Sequence, residues 1–374
     1  MGDLNNSQRL RPTHSIDGGG VVTRRVAVTG AAGSVGTRVV ALLSELSDCD
    51  VLAIDLVELD APPMVETKRL DLTSANLVSA FTGIDAVVHL ATTVTPGEID
   101  AAGEALEMTI LRRVLDAATE TDVAQMVALS TAMVYGAWVG NPVPITEDAA
   151  TRPNPDFSWA VLRGEVENAT LEWATGRDVA AAVLRPTAVV AQDHLGQLAR
   201  VLHTARIGIA AVGDPPVQYL HVDDLAAAIV TAVERQFDGV VNVAPDGWIP
   251  PDALHDLEGP QARVRVPAVA ARWIAALRWR AGLSPIPPGI VPYTSHSWVV
   301  ANDRMRELGW KPRWTNEEAW VVSHHPGPLD RFPARKQQEL ALAAAGVGLA
   351  LTLGGLGFLV RRLRRKTSGA VVDS

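Results

Sequence analysis

Cysteine is almost absent. Cys49 stands alone in 374 residues, which excludes a disulfide framework and a cysteine-built metal centre. Nothing near it would activate a thiol, so Cys49 reads as incidental. No grouping of His, Cys and carboxylates has ligand spacing, and no metal site is expected. Basic excess is also missing. Lys and Arg number 33 against 42 Asp and Glu, a formal net charge of −9, so phosphate attraction does not favour nucleic acid as a partner. The first residues lack the apolar run of a signal peptide. Residues 1–22 are polar and rich in Gly, Asn, Ser and Arg; they are expected to be a disordered leader, with the globular part not exported. Tyrosine is scarce. Tyr135, Tyr219 and Tyr293 are the three present, and none has a Lys four residues later.

Apolar residues are plentiful, at 48% of the chain, enough for a large core. Short apolar runs at Arg25–Thr29, Val51–Asp55, Thr67–Leu70, Ala86–Leu90, Gln125–Leu129 and Val179–Leu184 read as strands. Helical spacing covers Val35–Leu46, Gly97–Thr119 and Trp159–Ala174 between them. This alternation predicts an α/β fold of Rossmann type, a doubly wound parallel sheet covered on both faces. The expected core spans 23–186. From 187 to 328 the pattern loosens into a smaller substrate region that contributes some core elements, with helices over Val222–Arg235 and Pro267–Leu283. Pro267 suits a first helical position, where its missing N–H costs nothing.

Thr29-Gly30-Ala-Ala-Gly33-Ser34-Val35-Gly36 joins the first strand to the first helix. Gly30 permits a tight turn, Gly33 lets the main chain approach a pyrophosphate, and Gly36 allows close helix packing. The helix opening at Ser34, Val35 and Gly36 supplies amide donors and the positive end of a dipole. Asp55 closes the second strand at the distance where an acid binds both ribose hydroxyls. An acid there repels a 2′-phosphate, so NAD is favoured over NADP.

These residues resemble the extended short-chain dehydrogenase/reductases, the NAD-dependent epimerase/dehydratase family, from Arg25 to about Trp320. Asp71-Leu72 is similar to the family's pair beside the adenine. Leu90-Ala91-Thr92, following His89, resembles the strand-four segment that lines the cofactor. Leu129-Ser-Thr131-Ala-Met-Val-Tyr135-Gly136 resembles the strand-five motif. Leu184-Arg-Pro186 is similar to the turn near the nicotinamide. His221-Val-Asp223-Asp224, Val241-Asn-Val243 and Glu307-Leu-Gly-Trp310-Lys-Pro312 are later landmarks.

The resemblance implies a catalytic Tyr and Lys four residues apart on one helix, with a strand-five Ser or Thr holding the same substrate oxygen. Thr131 takes that last place. Trp159 stands where the Tyr belongs and Arg163 where the Lys belongs. Indole has no proton to give near neutrality, and arginine is a poor general base. Arg163 is left the role of holding the nicotinamide ribose, and Trp159 that of packing on the nicotinamide or a substrate ring. His194, beside Asp193 in a loop that lines family substrate pockets, is the candidate replacement base.

Residues 340–360 contain no charged residue and are long enough to cross a bilayer; a linker, 329–339, precedes them and a basic tail, 361–374, follows. A membrane-associated protein with its globular domain on the cytoplasmic side is expected. Gly346, Ala350 and Gly354 recur at a spacing that leaves a homodimer open. Trp273 and Trp279 share a helix with Arg272, Arg278 and Arg280, which suits either a membrane interface or ordinary packing in the substrate region. Two functions stay open: an NAD-dependent oxidoreductase, epimerase or dehydratase acting on a nucleotide sugar or related hydroxylated small molecule by a non-standard mechanism, or an inactive NAD-binding sensor or scaffold at the membrane.

Overall fold

Val26 and Val28 pack into one apolar cluster and Ala27 into another, so strand β1 (Arg24–Thr29) is covered on both faces, as a central parallel strand must be. The computed structural model describes residues 23–97, 99–192, 194–206, 208–259, 263–284 and 286–324. From β1 the chain runs through α1 (Ser34–Ser44) to β2 (Cys49–Asp55) and β3 (Glu66–Arg69), stepping outward on one side. It then returns through α2 (Leu77–Phe81) to β4 (Ala86–His89), which pairs with the other edge of β1. α3 (Ala101–Glu120), β5 (Gln125–Leu129), α4 (Ser158–Ala174) and β6 (Ala180–Pro186) continue on that second side.

The later elements divide between two tasks. β7 (Ala188–Ala191), β8 (His194–Leu195), α5 (Gln197–Arg206), β9 (Gly208–Ala211) and β10 (Tyr219–His221) lie outside the main sheet. α6 (Val222–Glu234) and β11 (Gly239–Val243) rejoin the core. α7 (Pro251–Glu258), β12 (Arg263–Val266), α8 (Ala268–Arg280), α9 (Asp303–Glu307) and α10 (Asn316–Ser323) follow. The main sheet has seven parallel strands in the order β11-β6-β5-β4-β1-β2-β3. α1 and α6 cover one face of it, while α2, α3 and the inner side of α4 cover the other. The direction of winding reverses between β1 and β4, and the crevice outside their carboxyl ends is where open sheets of this kind bind ligands.

The expected doubly wound sheet is observed, and the predicted strands fall within two residues of the observed ones. α3 begins four residues later than its periodicity suggests, because Asp100 Oδ1 accepts the Gly103 N–H at 2.8 Å and caps the helix there. Pro267 is the residue before α8 rather than its first helical position, since the extended β12 runs directly into it. α8 is barely covered: Ala271 is its one buried residue, and Trp273 is 72% exposed. Arg272 pairs with Asp156. The leader, linker, apolar segment 340–360 and basic tail expected from the sequence lie outside the described residues. Among the described residues no helix is long and apolar enough to cross a membrane.

One buried carboxylate ties the end of the described chain to the core. Asp224, in the first turn of α6, accepts the Arg313 N–H at 2.9 Å and the Trp314 N–H at 3.0 Å, while Trp310 Nε1 donates to its carbonyl at 3.0 Å. His221 caps the same helix, accepting from Asp223 N at 3.3 Å, and stacks on Trp314 at 4.2 Å. Burial raises the Asp224 pKa, against the lowering effect of the two amides. Asp224→Ala would leave both amides unsatisfied in the interior. The expected loss is about 2 kcal/mol or more of unfolding free energy, read from the midpoint of urea denaturation.

Candidate functional site

The first turn is built by close main-chain contacts. Gly30 has φ +72°, and a Cβ there would lie 2.5 Å from the Ala91 nitrogen at the exit of β4. A Cβ on Gly36 would lie 2.2 Å from the Gly30 carbonyl, which fixes how closely α1 sits on the turn. Gly33 differs: a Cβ there would meet the Gly30 carbonyl at 3.2 Å and nothing else within 4 Å. Its outer side is open. α1 has no side-chain cap, so the amides of Ser34, Val35 and Gly36 keep their donor capacity at the positive end of the helix dipole.

Asp55 is aimed at this turn. Its Oδ2 accepts the Ala32 N–H at 2.9 Å and its Oδ1 the Val57 N–H at 3.2 Å, while the side chain stays partly open. On the opposite wall Leu90 N donates to Thr29 O at 3.0 Å, and Leu90 and Ala91 pass directly against Gly30. Thr92 accepts a bond from Arg163. Asp71 lies beyond β3 with its carboxylate accepting from the Thr73 amide and hydroxyl, a hydrogen bond that lowers its pKa, and Leu72 beside it is buried. An open glycine, uncapped helix amides and an oriented acid together fit the diphosphate and adenosine ribose of a dinucleotide.

The second part of the site lies at the ends of β5 and β6. Thr131 opens the 3-10 turn Ala132–Tyr135, is fully buried, and accepts the Met133 N–H at 3.3 Å. Trp159 and Arg163 share the inner face of α4, with the guanidinium carbon 5.6 Å from the indole centroid. Arg163 is locked in place: Nη2 donates to Thr92 Oγ1 at 2.8 Å and faces Glu107 Oε1 at 3.1 Å. Glu107 also accepts from the Thr93 amide at 2.7 Å and hydroxyl at 3.0 Å. Burial lowers the Arg163 pKa and Glu107 opposes this.

Four buried polar atoms near these strand ends and on α4 have no partner among the described residues: Ser130 Oγ, Thr187 Oγ1, Trp159 Nε1 and Arg163 Nε. Buried polar groups are seldom left unpaired. Sequence reasoning missed Ser130, Thr187 and Glu107. Glu107 was readable: it sits at helical spacing with Ile110, Leu111 and Val114 on the buried stripe of α3, where a lone acid requires a cationic partner.

The three tyrosines all lie off α4. Tyr135 donates to Asn242 Oδ1 at 2.9 Å and accepts from Arg185 at 2.7 Å, and burial raises its pKa. Arg185 beside it, next to Pro186, makes a two-pronged pair with Glu167. Tyr293 donates to Met133 O at 2.9 Å, and burial raises its pKa as well. Tyr219 is a buried residue of β10. His194 stands exposed on β8, its Nε2 3.2 Å from Arg200. No hydrogen bond, ion pair or ring contact among the described residues joins His194 to Thr131, Trp159 or Arg163. Asp193 lies outside the described residues. Among those residues no group of His, Cys, Asp and Glu could hold a metal.

His89, which ends β4, is also part of the crevice wall. Its Nδ1 lies 2.7 Å from Thr29 Oγ1, and burial holds its pKa down at about 4, with Glu107 raising and Arg163 lowering it. A base whose folded pKa is depressed stabilises the fold fully above its unfolded value near 6.5, and that stability is lost as pH falls towards 4 because the unfolded chain takes the proton first. His89 alone should lower the unfolding free energy by about 3 kcal/mol between pH 6.5 and pH 4. Denaturation at several pH values should give a flatter profile for His89→Gln; an unchanged slope would contradict the assignment.

Comparison with known proteins agrees with this geometry. The family described as NAD dependent epimerase/dehydratase matches residues 26–244. A 3-diazoavenalumate denitrifying reductase from a Streptomyces species is 28% identical over 316 residues, spanning 77% of this chain and 96% of the relative. The UDP-glucose 4-epimerase of Thermus thermophilus, solved in complex with NAD, is similar with a TM-score of 0.60 and 19% identity, over 80% of this chain and 97% of that one. A short-chain dehydrogenase/reductase superfamily protein of Agrobacterium tumefaciens, solved with bound NAD, has a TM-score of 0.58 and 20% identity, over 87% and 98%.

Proposed function

The chain belongs to the NAD dependent epimerase/dehydratase family, and on that premise we propose that it binds NAD at the β1–β4 crevice and serves reduction of a small molecule, without an ionisable tyrosine. The diphosphate rests on the amides of Ser34, Val35 and Gly36, and Asp55 takes the adenosine ribose hydroxyls. When bound, NAD supplies exchange of a hydride with a substrate carbon. The observation that carries this reading is an open glycine cradle beside a set of neutral hydrogen-bond donors.

Those donors define what the chain itself does. The hydroxyls of Ser130, Thr131 and Thr187 and the indole N–H of Trp159 orient a substrate oxygen and do not remove its proton near neutrality. Arg163 stays charged, and its charge is balanced by Glu107 rather than lent to a phenol. Such a site favours a substrate that accepts hydride without a proton from the protein, or takes that proton from water. The denitrifying reductase among the relatives supports reduction over epimerisation. The UDP-glucose epimerase supports a hydroxylated small molecule, and nucleotide sugars are the reference class to test. The segment 340–360 is proposed as a membrane anchor that leaves this domain on the cytoplasmic side, which pelleting of the full chain with membranes, and its loss on deleting 340–374, would check.

Titration calorimetry with NAD tests the first step. Micromolar binding is expected, weakened about 10- to 100-fold by Asp55→Ala, the effect of losing charge-assisted hydrogen bonds. No heat of binding in the intact protein would overturn the proposal. Binding without oxidation of reduced cofactor across carbonyl compounds, electrophilic aromatics and nucleotide sugars would instead favour a sensor or scaffold.

A further inference from the structure

We propose that α8 and the turn that ends it form a face that docks on an anionic lipid bilayer. The inference goes beyond the cofactor site. In one part it rests on the anchor role proposed above for residues 340–360.

The two sides of α8 have opposite surroundings. Ala271 and Ala275 pack with Ala211 of β9, Val266 of β12 and Val291 of the 3-10 turn Pro288–Thr294. Small side chains let the helix lie close on that thin layer. Val269 and Trp273 stand four residues apart, hence on one face, and are 71% and 72% exposed. Leu283, in the turn after the helix, is 64% exposed. Single apolar side chains in water are ordinary, but three on one short helix and its turn mark an interaction surface.

Charge says which partner fits. From residue 259 to residue 302 the sequence contains no Asp or Glu, in a chain with a net charge of −9. The same stretch holds Arg263, Arg265, Arg272, Arg278 and Arg280. Arg265 and Arg272 are met by Asp214 and Asp156 from other segments. Among the described residues no carboxylate pairs with Arg278 or Arg280. Arg272 and Arg280 are exposed on the side that carries Trp273. Trp settles at the headgroup level of a bilayer, and Arg meets lipid phosphate while its stem covers apolar surface. A second copy fits worse, because pairing this face with itself would bring its arginines together with no acid on the helix to answer them.

The chain also leaves the described fold from this region. The ring of His324, the last described residue, lies 5.2 Å from that of His203 in α5. α5 leads directly to β9, β9 pairs with β12, and β12 runs into α8. Residues 325–339 separate His324 from the uncharged segment 340–360, and a stretch of that length reaches about 50 Å when extended. A segment inserted in the bilayer therefore leaves α8 within reach of its surface. Such a tether raises the local concentration of lipid, so a weak face suffices.

The full chain is mixed with phosphatidylcholine vesicles made with and without phosphatidylglycerol, and with brominated acyl chains as quencher. Flotation on neutral vesicles reads the anchor. Quenching of tryptophan reads the face, since no Trp lies beyond Trp320 and the segment 340–360 adds no signal. Quenching should be about twofold or more stronger on the anionic vesicles. Trp273→Phe should remove most of it, and Arg278→Gln with Arg280→Gln should bring it down to the neutral level, with NAD affinity unchanged. Equal quenching of the unmodified chain on both vesicles, or quenching that Trp273→Phe leaves intact, would overturn the inference; the first comparison needs no variant to fold. Flotation without quenching removes the face and leaves the anchor. Quenching on anionic vesicles without flotation on neutral ones sustains the face and removes the anchor. A mass in detergent that rises with concentration and falls with Trp273→Phe, without quenching by lipid, would give the face to a second copy instead.

Discussion

At Gly30 the main chain leaving β1 passes so close to the main chain leaving β4 that no side chain fits between them. The rest of the site follows from that contact. It can form because β1 and β4 are neighbours although far apart in sequence, which places the reversal of the sheet at their carboxyl ends. It turns the chain so that the opening of α1 faces outward, and it brings Leu90, Ala91 and Thr92 to the opposite wall. Gly36 allows α1 to settle on the same turn, and Asp55 closes the arrangement from β2 through the Ala32 amide. A β-carbon at Gly30 or Gly36 would push these segments apart and open the crevice at its base.

The chemistry beside that crevice is unusual in where its charges go. Arg163 and Glu107 form a buried pair between α4 and α3, bound further by Thr92 and Thr93. Such a pair adds little net stability, because desolvation offsets the attraction, but it fixes the two helices against each other and against the crevice loop. A second buried pair, Arg185 with Glu167, holds Tyr135 and through it Asn242 of β11. Both arginines therefore work inside the scaffold. What remains at the strand ends is a group of neutral donors, with His89 held in its uncharged form by burial.

The small cavity beside α5 is lined from elements distant in sequence. Tyr219 and Gln218 come from around β10, Leu202 and Arg206 from α5, and Tyr293 and Trp298 from beyond α8. Their common feature is an aromatic path that ends at Trp159, so the inner face of α4 packs in the same apolar cluster as these residues. Along that path Tyr293 and Trp298 donate to main-chain carbonyls, while the indole N–H of Trp159 has no partner among the described residues.

By itself the sequence determined the strand–turn–helix unit at Gly30, the acid at Asp55 and the parallel order of alternating elements, because each is encoded by local spacing: glycines where Cβ is excluded, apolar runs where both faces are covered. Through the family resemblance it also marked Thr131, Trp159 and Arg163 as positions expected on one site. Tertiary structure alone decided their states. Glu107 is over fifty residues from Arg163, His194 faces Arg200 at the surface, and Ser130 and Thr187 are buried where β5 and β6 end. Ion pairing, burial and desolvation depend on distances between elements, and no short-range pattern in a chain carries that information.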